Sequence, residues 1–198
     1  MKIGLFFGSF NPIHNGHLAI ALYLEQKKLF DQIWMVVSPN NPLKEKEELA
    51  NQNDRLNMVK LAIRDYPFLQ ACDVEFQLPS PSYTINTLND LEKQYPNYEF
   101  SLILGADNMR NFHQWKNYEE ILNKYVIYVY PRGHESLILN IEHQHIIYIE
   151  GAPLLPISAT EIRSLLQQHK FIAQHLPIQV IQYIEKKQLF EICKIFVY

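Results

Sequence analysis

Short apolar runs alternate with amphipathic stretches along nearly the whole chain, and this alternation limits the fold more than any other feature. Residues 3–7, 32–37, 68–76, 98–104, 125–130 and 145–149 read as strands. Residues 16–29, 53–66, 84–95, 118–123, 160–168 and 178–187 read as helices. In the first helix Leu18, Leu22 and Leu29 fall on one side, and in the second Leu56, Val59 and Ile63 recur at helical spacing. Strands this apolar have no solvent-facing side, and strands separated by helices pair in parallel. The expectation is an α/β fold: one doubly wound, mostly parallel sheet with helices on both faces. At 198 residues the chain suits one domain, residues 1–198, with the helices and apolar tail of 157–198 packed on it. Residues 40–48 and 131–140 read as polar loops within that domain. The tail at 189–198 fits either an added strand or a subunit contact, which leaves a homo-oligomer open.

Charge and cysteine usage exclude several classes. With 18 basic and 21 acidic residues the net charge is −3, so no basic surplus points to nucleic acid. A site for an anionic ligand must be built locally. Residues 3–24 carry no Asp, Glu, Lys or Arg, but Gly8-Ser9-Phe10-Asn11-Pro12 breaks the apolar run. A break there fits neither a secretory signal nor a membrane span. Cys72 and Cys193 alone make no disulfide framework and no zinc pattern, which fits a reducing cytoplasmic setting.

The segment Gly8-Ser9-Phe10-Asn11-Pro12-Ile13-His14-Asn15-Gly16-His17 joins the first strand to the first helix. In open parallel sheets ligands bind at the carboxyl ends of the strands. The helix start there is expected to offer free amides and partial positive charge to a phosphate. Gly8 would permit close backbone approach, and Asn15 or Gly16 would cap the helix. His14 and His17, three apart, point to one side of the helix start. They read either as phosphate ligands or as surface polar residues around a tight turn. As metal ligands they are incomplete, because no third ligand lies at a suitable spacing.

A second element lies far downstream, in Ile157-Ser158-Ala159-Thr160-Glu161-Ile162-Arg163. Ser158 and Glu161 form a capping-box pattern. Thr160 adds a hydroxyl in the first turn, and Arg163 leans back toward the helix start, where it could grip phosphate bidentately.

The first segment resembles the signature of the nucleotidyltransferase superfamily with a His/Thr-x-Gly-His motif, a Rossmann-like fold. The second resembles that superfamily's Ile-Ser-x-Thr-x-Ile-Arg motif for the β- and γ-phosphates of ATP. Further segments resemble the bacterial nicotinate-nucleotide adenylyltransferases: Ser38-Pro39-Asn40-Asn41-Pro42-Leu43-Lys44, Arg55-Leu56-Asn57-Met58, Pro81-Ser82-Tyr83-Thr84, and Gly105-Ala106-Asp107 with Trp115. The likeness covers most of the chain, with the motifs in family order. Two positions depart from the pattern: Leu43 where a histidine is common, and Gly133 where proline follows the turn arginine Arg132.

The resemblance implies adenylyl transfer from ATP to nicotinate mononucleotide, with His14, His17, Lys44 and Arg163 as the catalytic group. ATP would meet Gly8, Ser9, Phe10, His14, Gly16, His17, Gly105, Asp107, Ser158, Thr160 and Arg163. Nicotinate mononucleotide would meet Asn11, Lys44, Tyr83, Thr84, Trp115 and Arg132. Each has a plainer reading beside it: Ser82-Tyr83-Thr84 as an ordinary helix cap, Trp115 as core, Asp107 as a cap for the following helix, Lys44 and Arg55 as solvated charge. Mg²⁺ is expected on the ATP phosphates, held mainly by substrate and water, since no carboxylate cluster is evident. Ser9 and Cys72 lack a marked basic partner and read as structural or polar lining. Three rivals remain: transfer to another acceptor, a non-catalytic nucleotide sensor, and a fragment of a class I aminoacyl-tRNA synthetase. The third lacks a Lys-Met-Ser-Lys-Ser loop and a basic surface.

Overall fold

The computed structural model describes residues 1–39, 49–131, 143–153, 157–170 and 172–191. Among these residues six strands form one sheet in the order β3-β2-β1-β4-β5-β6. They are β1 (Lys2–Gly8), β2 (Gln32–Val37), β3 (Leu69–Cys72), β4 (Glu99–Gly105), β5 (Ile127–Tyr130) and β6 (Ile146–Tyr148). Every adjacent pair is parallel, with Leu5 opposite Trp34 on one side and Leu102 on the other. The chain runs outward from β1 through β2 to β3, then returns to β1's other side as β4. The strand order therefore reverses between β1 and β4, and a crevice opens at their carboxyl ends.

Among the described residues seven α-helices cover the sheet: α1 (Asn15–Gln26), α2 (Gln52–Ile63), α3 (Thr84–Gln94), α4 (Ala106–Arg110), α5 (Tyr118–Lys124), α6 (Ala159–Gln167) and α7 (Ile178–Lys187). Strand side chains alternate between the faces as the pleat requires. Phe6, Ile33, Met35, Val37 and Ile103 join the core under α1, α2, α6 and α7. Ile3, Leu5, Trp34, Val36, Leu102 and Leu104 join the core under α3, α4 and α5. Burial on both faces explains why the central strand sequences are almost wholly apolar.

Two elements differ from the sequence expectation. The first helix stops at Gln26, because Lys28 turns left-handed with φ 53°. Leu29 thus lies beyond it, and the buried face is Leu18, Ile20, Ala21 and Leu24, with Leu22 only half-buried. The stretch 68–76 is not one strand: β3 ends at Cys72 and a 3-10 turn follows over Val74–Gln77. The alternation of Val74 and Phe76 with Asp73 and Glu75 imitates a strand. The turn packs Phe76 and Val74 against the two cores on opposite faces and places Glu75 (3% exposed) among hydroxyl donors that soften the cost of burying it. The helix α4 and a 3-10 turn at Phe112–Gln114 were not anticipated from the sequence.

Candidate active site

The loop after β1 turns sharply at Phe10, whose φ of 46° is left-handed and costly for a bulky residue. Burial of its ring offsets that cost. The ring fills the space beside Gly8, where a Cβ would stand 2.9 Å from Phe10 Cζ. It also meets the His17 ring edge-on, with centroids 5.0 Å apart. Phe10 therefore walls His17, and its side chain, expected to meet ATP, is closed off from the surface. Asn11 is fully buried as well. Its Oδ1 accepts from the Ala50 amide at 3.0 Å.

His14, rather than Asn15 or Gly16, is the N-cap of α1. Its Nδ1 accepts from the Gly16 amide at 3.1 Å, and His17 Nδ1 accepts from the His14 amide at 3.2 Å. The two rings lie 3.7 Å apart and 30° from parallel. A ring nitrogen that accepts an amide proton cannot carry one, so this reciprocal box fixes the proton of each neutral imidazole on Nε2. Gly16 makes the arrangement possible, since a Cβ there would sit 2.9 Å from His14 Nδ1 and Cε1. Contrary to the expectation of free amides, those at this helix start are engaged. Gly16's serves the cap, and Asn15's donates to the His175 carbonyl at 2.9 Å.

The start of α6 is the anticipated capping box. Ser158 Oγ accepts from the Glu161 amide at 3.1 Å, and Glu161 Oε2 accepts from the Ser158 amide at 2.9 Å. One turn in, Arg163 reaches back. Its Nη1 donates to the Asn11 carbonyl at 2.9 Å and its Nη2 to Thr160 Oγ1 at 3.3 Å. A guanidinium 152 residues away in sequence thus sits on the loop that carries the paired imidazoles. The structure thus brings Thr160 and Arg163 to the loop that bears His14 and His17.

At the end of the neighbouring strand β4, Gly105 is the N-cap of α4 and Asp107 stands exposed in its first turn, so Asp107 belongs to that helix and does not cap a later one. A Cβ on Gly105 would collide with Asp107 Oδ1 and come within 3.2 Å of the Tyr130 hydroxyl. Further along the crevice, Tyr83 is the N-cap of α3 and makes no side-chain capping bond. Lys116 Nζ lies 4.5 Å above the Tyr83 ring. Trp115, half-buried, packs on Phe112 with centroids 5.3 Å apart. The segments carrying Tyr83-Thr84 and Trp115 are therefore brought together. Lys44 and Arg132 fall outside the described residues.

Two charged residues do not act as the sequence suggested. Arg55, expected to lend charge near phosphate, is 1% exposed. It donates to the carbonyls of Ser9 (2.6 Å), Ser38 (2.7 Å), Pro39 (2.9 Å) and Ala50 (3.0 Å), and burial lowers its pKa to about 10. It fastens the ends of β1 and β2 to the entry of α2. Glu75, not considered as a site residue, accepts from Ser82 Oγ at 3.0 Å, from Thr87 Oγ1 at 2.8 Å and from the Ser38 side chain. Burial raises its pKa, and the three hydroxyls oppose that shift. A carboxylate interrupting the apolar alternation of 74–76 was the signal that could have revealed it. Cys72 is buried, and its thiol is pushed up to about 11, chiefly by burial, which leaves it no nucleophile.

Among the described residues, no group of three or more His, Cys, Asp or Glu is placed to hold a metal ion, and no helix is long and apolar enough to cross a membrane.

Residues 5–165 match the cytidylyltransferase-like family. The chain is 50% identical over 193 residues to the probable nicotinate-nucleotide adenylyltransferase of Flavobacterium psychrophilum, covering 96% of this chain and all of that one. It is 49% identical over 172 residues to the protein of that name from Cytophaga hutchinsonii, covering 87% and 89%. This chain belongs to the nicotinate-nucleotide adenylyltransferases of the cytidylyltransferase-like family. In fold it is similar to a member solved from Plasmodium falciparum, nicotinic acid mononucleotide adenylyltransferase complexed with NaAD. The TM-score is 0.80 at 23% identity, over 97% of this chain and 98% of that one. The segment 8–17 and the segment 157–163, far apart in sequence, meet here at Asn11 and Arg163.

Proposed function

We propose that this chain transfers the adenylyl group of ATP to nicotinate mononucleotide, giving deamido-NAD and pyrophosphate. The observation that carries the reading is the convergence of His14, His17 and Arg163 at the β1–β4 switch point, in a chain that is half identical to relatives of that name.

The mononucleotide's phosphate is the nucleophile. Its second pKa is about 6, so it is largely dianionic near neutral pH and needs no general base. One of its oxygens bonds to the α-phosphorus of ATP as the bond to the β-phosphate oxygen breaks, and pyrophosphate leaves with the electron pair. The protein's work is to hold two anions in line and to neutralise developing charge. His14 and His17 donate from Nε2–H, the tautomer set by the reciprocal cap. Arg163 and Lys44 draw charge from the triphosphate, with Ser158 and Thr160 at the α6 start. Gly8, Ser9, Phe10 and Gly16 shape that half of the site. Gly105 gives the ATP base or ribose room, and Asp107 accepts from ribose hydroxyls. The first-turn amides of α3 at Tyr83-Thr84 receive the nicotinate carboxylate, and Trp115 stacks on the pyridine ring. Arg132 completes the mononucleotide half, while Asn11, buried and bonded to the Ala50 amide, supports the loop instead of meeting the mononucleotide. Mg²⁺ would accompany ATP, held mainly by substrate and water, and would supply positive charge against the leaving pyrophosphate. Both substrates belong to the cytoplasmic pool, where we place the chain.

Pyrophosphate release from ATP, measured with nicotinate mononucleotide, its amide and phosphopantetheine in turn, tests the reading. Turnover should favour nicotinate mononucleotide. Equal kcat/KM for acid and amide would overturn the carboxylate site at α3, and release with none of the three would overturn the transfer itself.

A further inference from the structure

Glu75 is a buried carboxylate for which the mechanism has no use. Among the described residues, no arginine, lysine or histidine bonds to it; its partners there are hydroxyls from three different segments. Ser38 follows β2, Ser82 precedes α3, and Thr87 lies in the first turn of α3. An ionised carboxylate without a cation is costly to bury, and three hydroxyl donors offset only part of that cost. Ser38 is itself tied to the phosphate half of the site, its amide donating to the Gly8 carbonyl at 2.9 Å. Its carbonyl accepts from Arg55 at 2.7 Å, and Arg55 also holds Ser9. Two donors from the α3 start, Ser82 Oγ and Thr87 Oγ1, meet the same carboxylate. A continuous hydrogen-bonded path thus runs from Gly8 through Ser38 and Glu75 to the turn presenting Tyr83 and Thr84. The start of α3 has no side-chain cap of its own to hold it.

We infer that Glu75 is a positioning residue for the mononucleotide half-site: it sets the first turn of α3 against the ends of β1 and β2, and with them the distance between acceptor and triphosphate. It touches neither substrate. The inference rests on the proposed activity for the identity of the acceptor.

Steady-state kinetics of Glu75→Ala, Glu75→Gln and Ser82→Ala test it, each with ATP and nicotinate mononucleotide varied separately and melting temperature recorded. Misplacing a binding element by about 1 Å can cost as much as ~10²-fold. Glu75→Ala should therefore raise KM for the mononucleotide about tenfold or more, with KM for ATP within about twofold of wild type. Glu75→Gln, which keeps one acceptor oxygen, should recover part of the loss. Ser82→Ala, altered on the α3 side alone, should shift the same KM in the same direction, and it carries the test if Glu75→Ala does not fold. Unchanged KM for the mononucleotide, or equal rises in both KM values alongside a lower melting temperature, would overturn the inference. Wild-type turnover is a separate control: if the parent protein does not use nicotinate mononucleotide, the activity is misassigned, whatever the variants do.

Discussion

Single atoms decide how the paired imidazoles work. Gly16 is the clearest case, because the missing Cβ is what lets the His14 ring fold over the helix start and accept the Gly16 amide. A methyl there must displace either the ring or the backbone, and with it the tautomer that puts a proton on Nε2. Gly16→Ala should lower kcat by about 10²-fold, the loss typical of one misplaced oxyanion donor. His17→Ala should fall at least as far. Both should keep a native far-ultraviolet circular dichroism spectrum, since alanine suits a helix interior. Turnover of Gly16→Ala within about threefold of wild type would show that the cap does not set the imidazole. The pair itself was legible in the sequence, as two histidines three apart at a strand-to-helix junction. The cap was not, because which ring nitrogen accepts depends on rotamers that packing of the His17 ring against Phe6, Phe10 and the His14 ring selects.

At the scale of elements, α6 carries the other half of the phosphate site on nine residues. A helix this short has little stability of its own, so its first turn depends on the Ser158–Glu161 box. Ser158→Ala should cost about 1 kcal/mol, and melting should fall by about 2–4 °C. A frayed first turn releases Thr160 and loosens Arg163 from the Asn11 carbonyl, so KM for ATP should rise while KM for the mononucleotide stays near wild type. The opposite pattern would mean that α6 serves the acceptor. This box was readable from four consecutive letters because both partners lie in one turn. The end of β3 was not. Its local alternation favours a strand, and only the distant hydroxyls of Ser82 and Thr87 make the turn at Glu75 the better structure.

For the molecule as a whole, the ends of β1 and β2 and the entry to α2 are held by a single buried guanidinium. Arg55 satisfies four carbonyls from three segments in one planar fork. Lysine keeps the charge but offers one compact ammonium, which cannot reach them all. Arg55→Lys should destabilise by about 3 kcal/mol, at roughly 1–3 kcal/mol per carbonyl left unsatisfied, and lower the melting temperature by about 6–12 °C. Calorimetry of the variant checks this, and a shift under about 2 °C would show that the four bonds contribute little. In the sequence Arg55 looked like one more solvated cation. Nothing in its neighbours Asp54 and Leu56 signals burial, because its partners are main-chain carbonyls far along the chain.

What the sequence determined by itself was whatever depends on short-range order. The parallel sheet follows from apolar runs too short and too apolar for anything else, and the helix starts follow from where helical spacing begins, at α6 also from a box that closes within one turn. The tertiary structure decided which of those starts share a site. Arg163 meets Asn11, and Tyr83 meets Lys116, only because the strand order reverses at β1. That reversal is a choice among packings of nearly equal local preference, and it is settled by long-range burial and hydrogen bonding that no window of neighbouring residues contains.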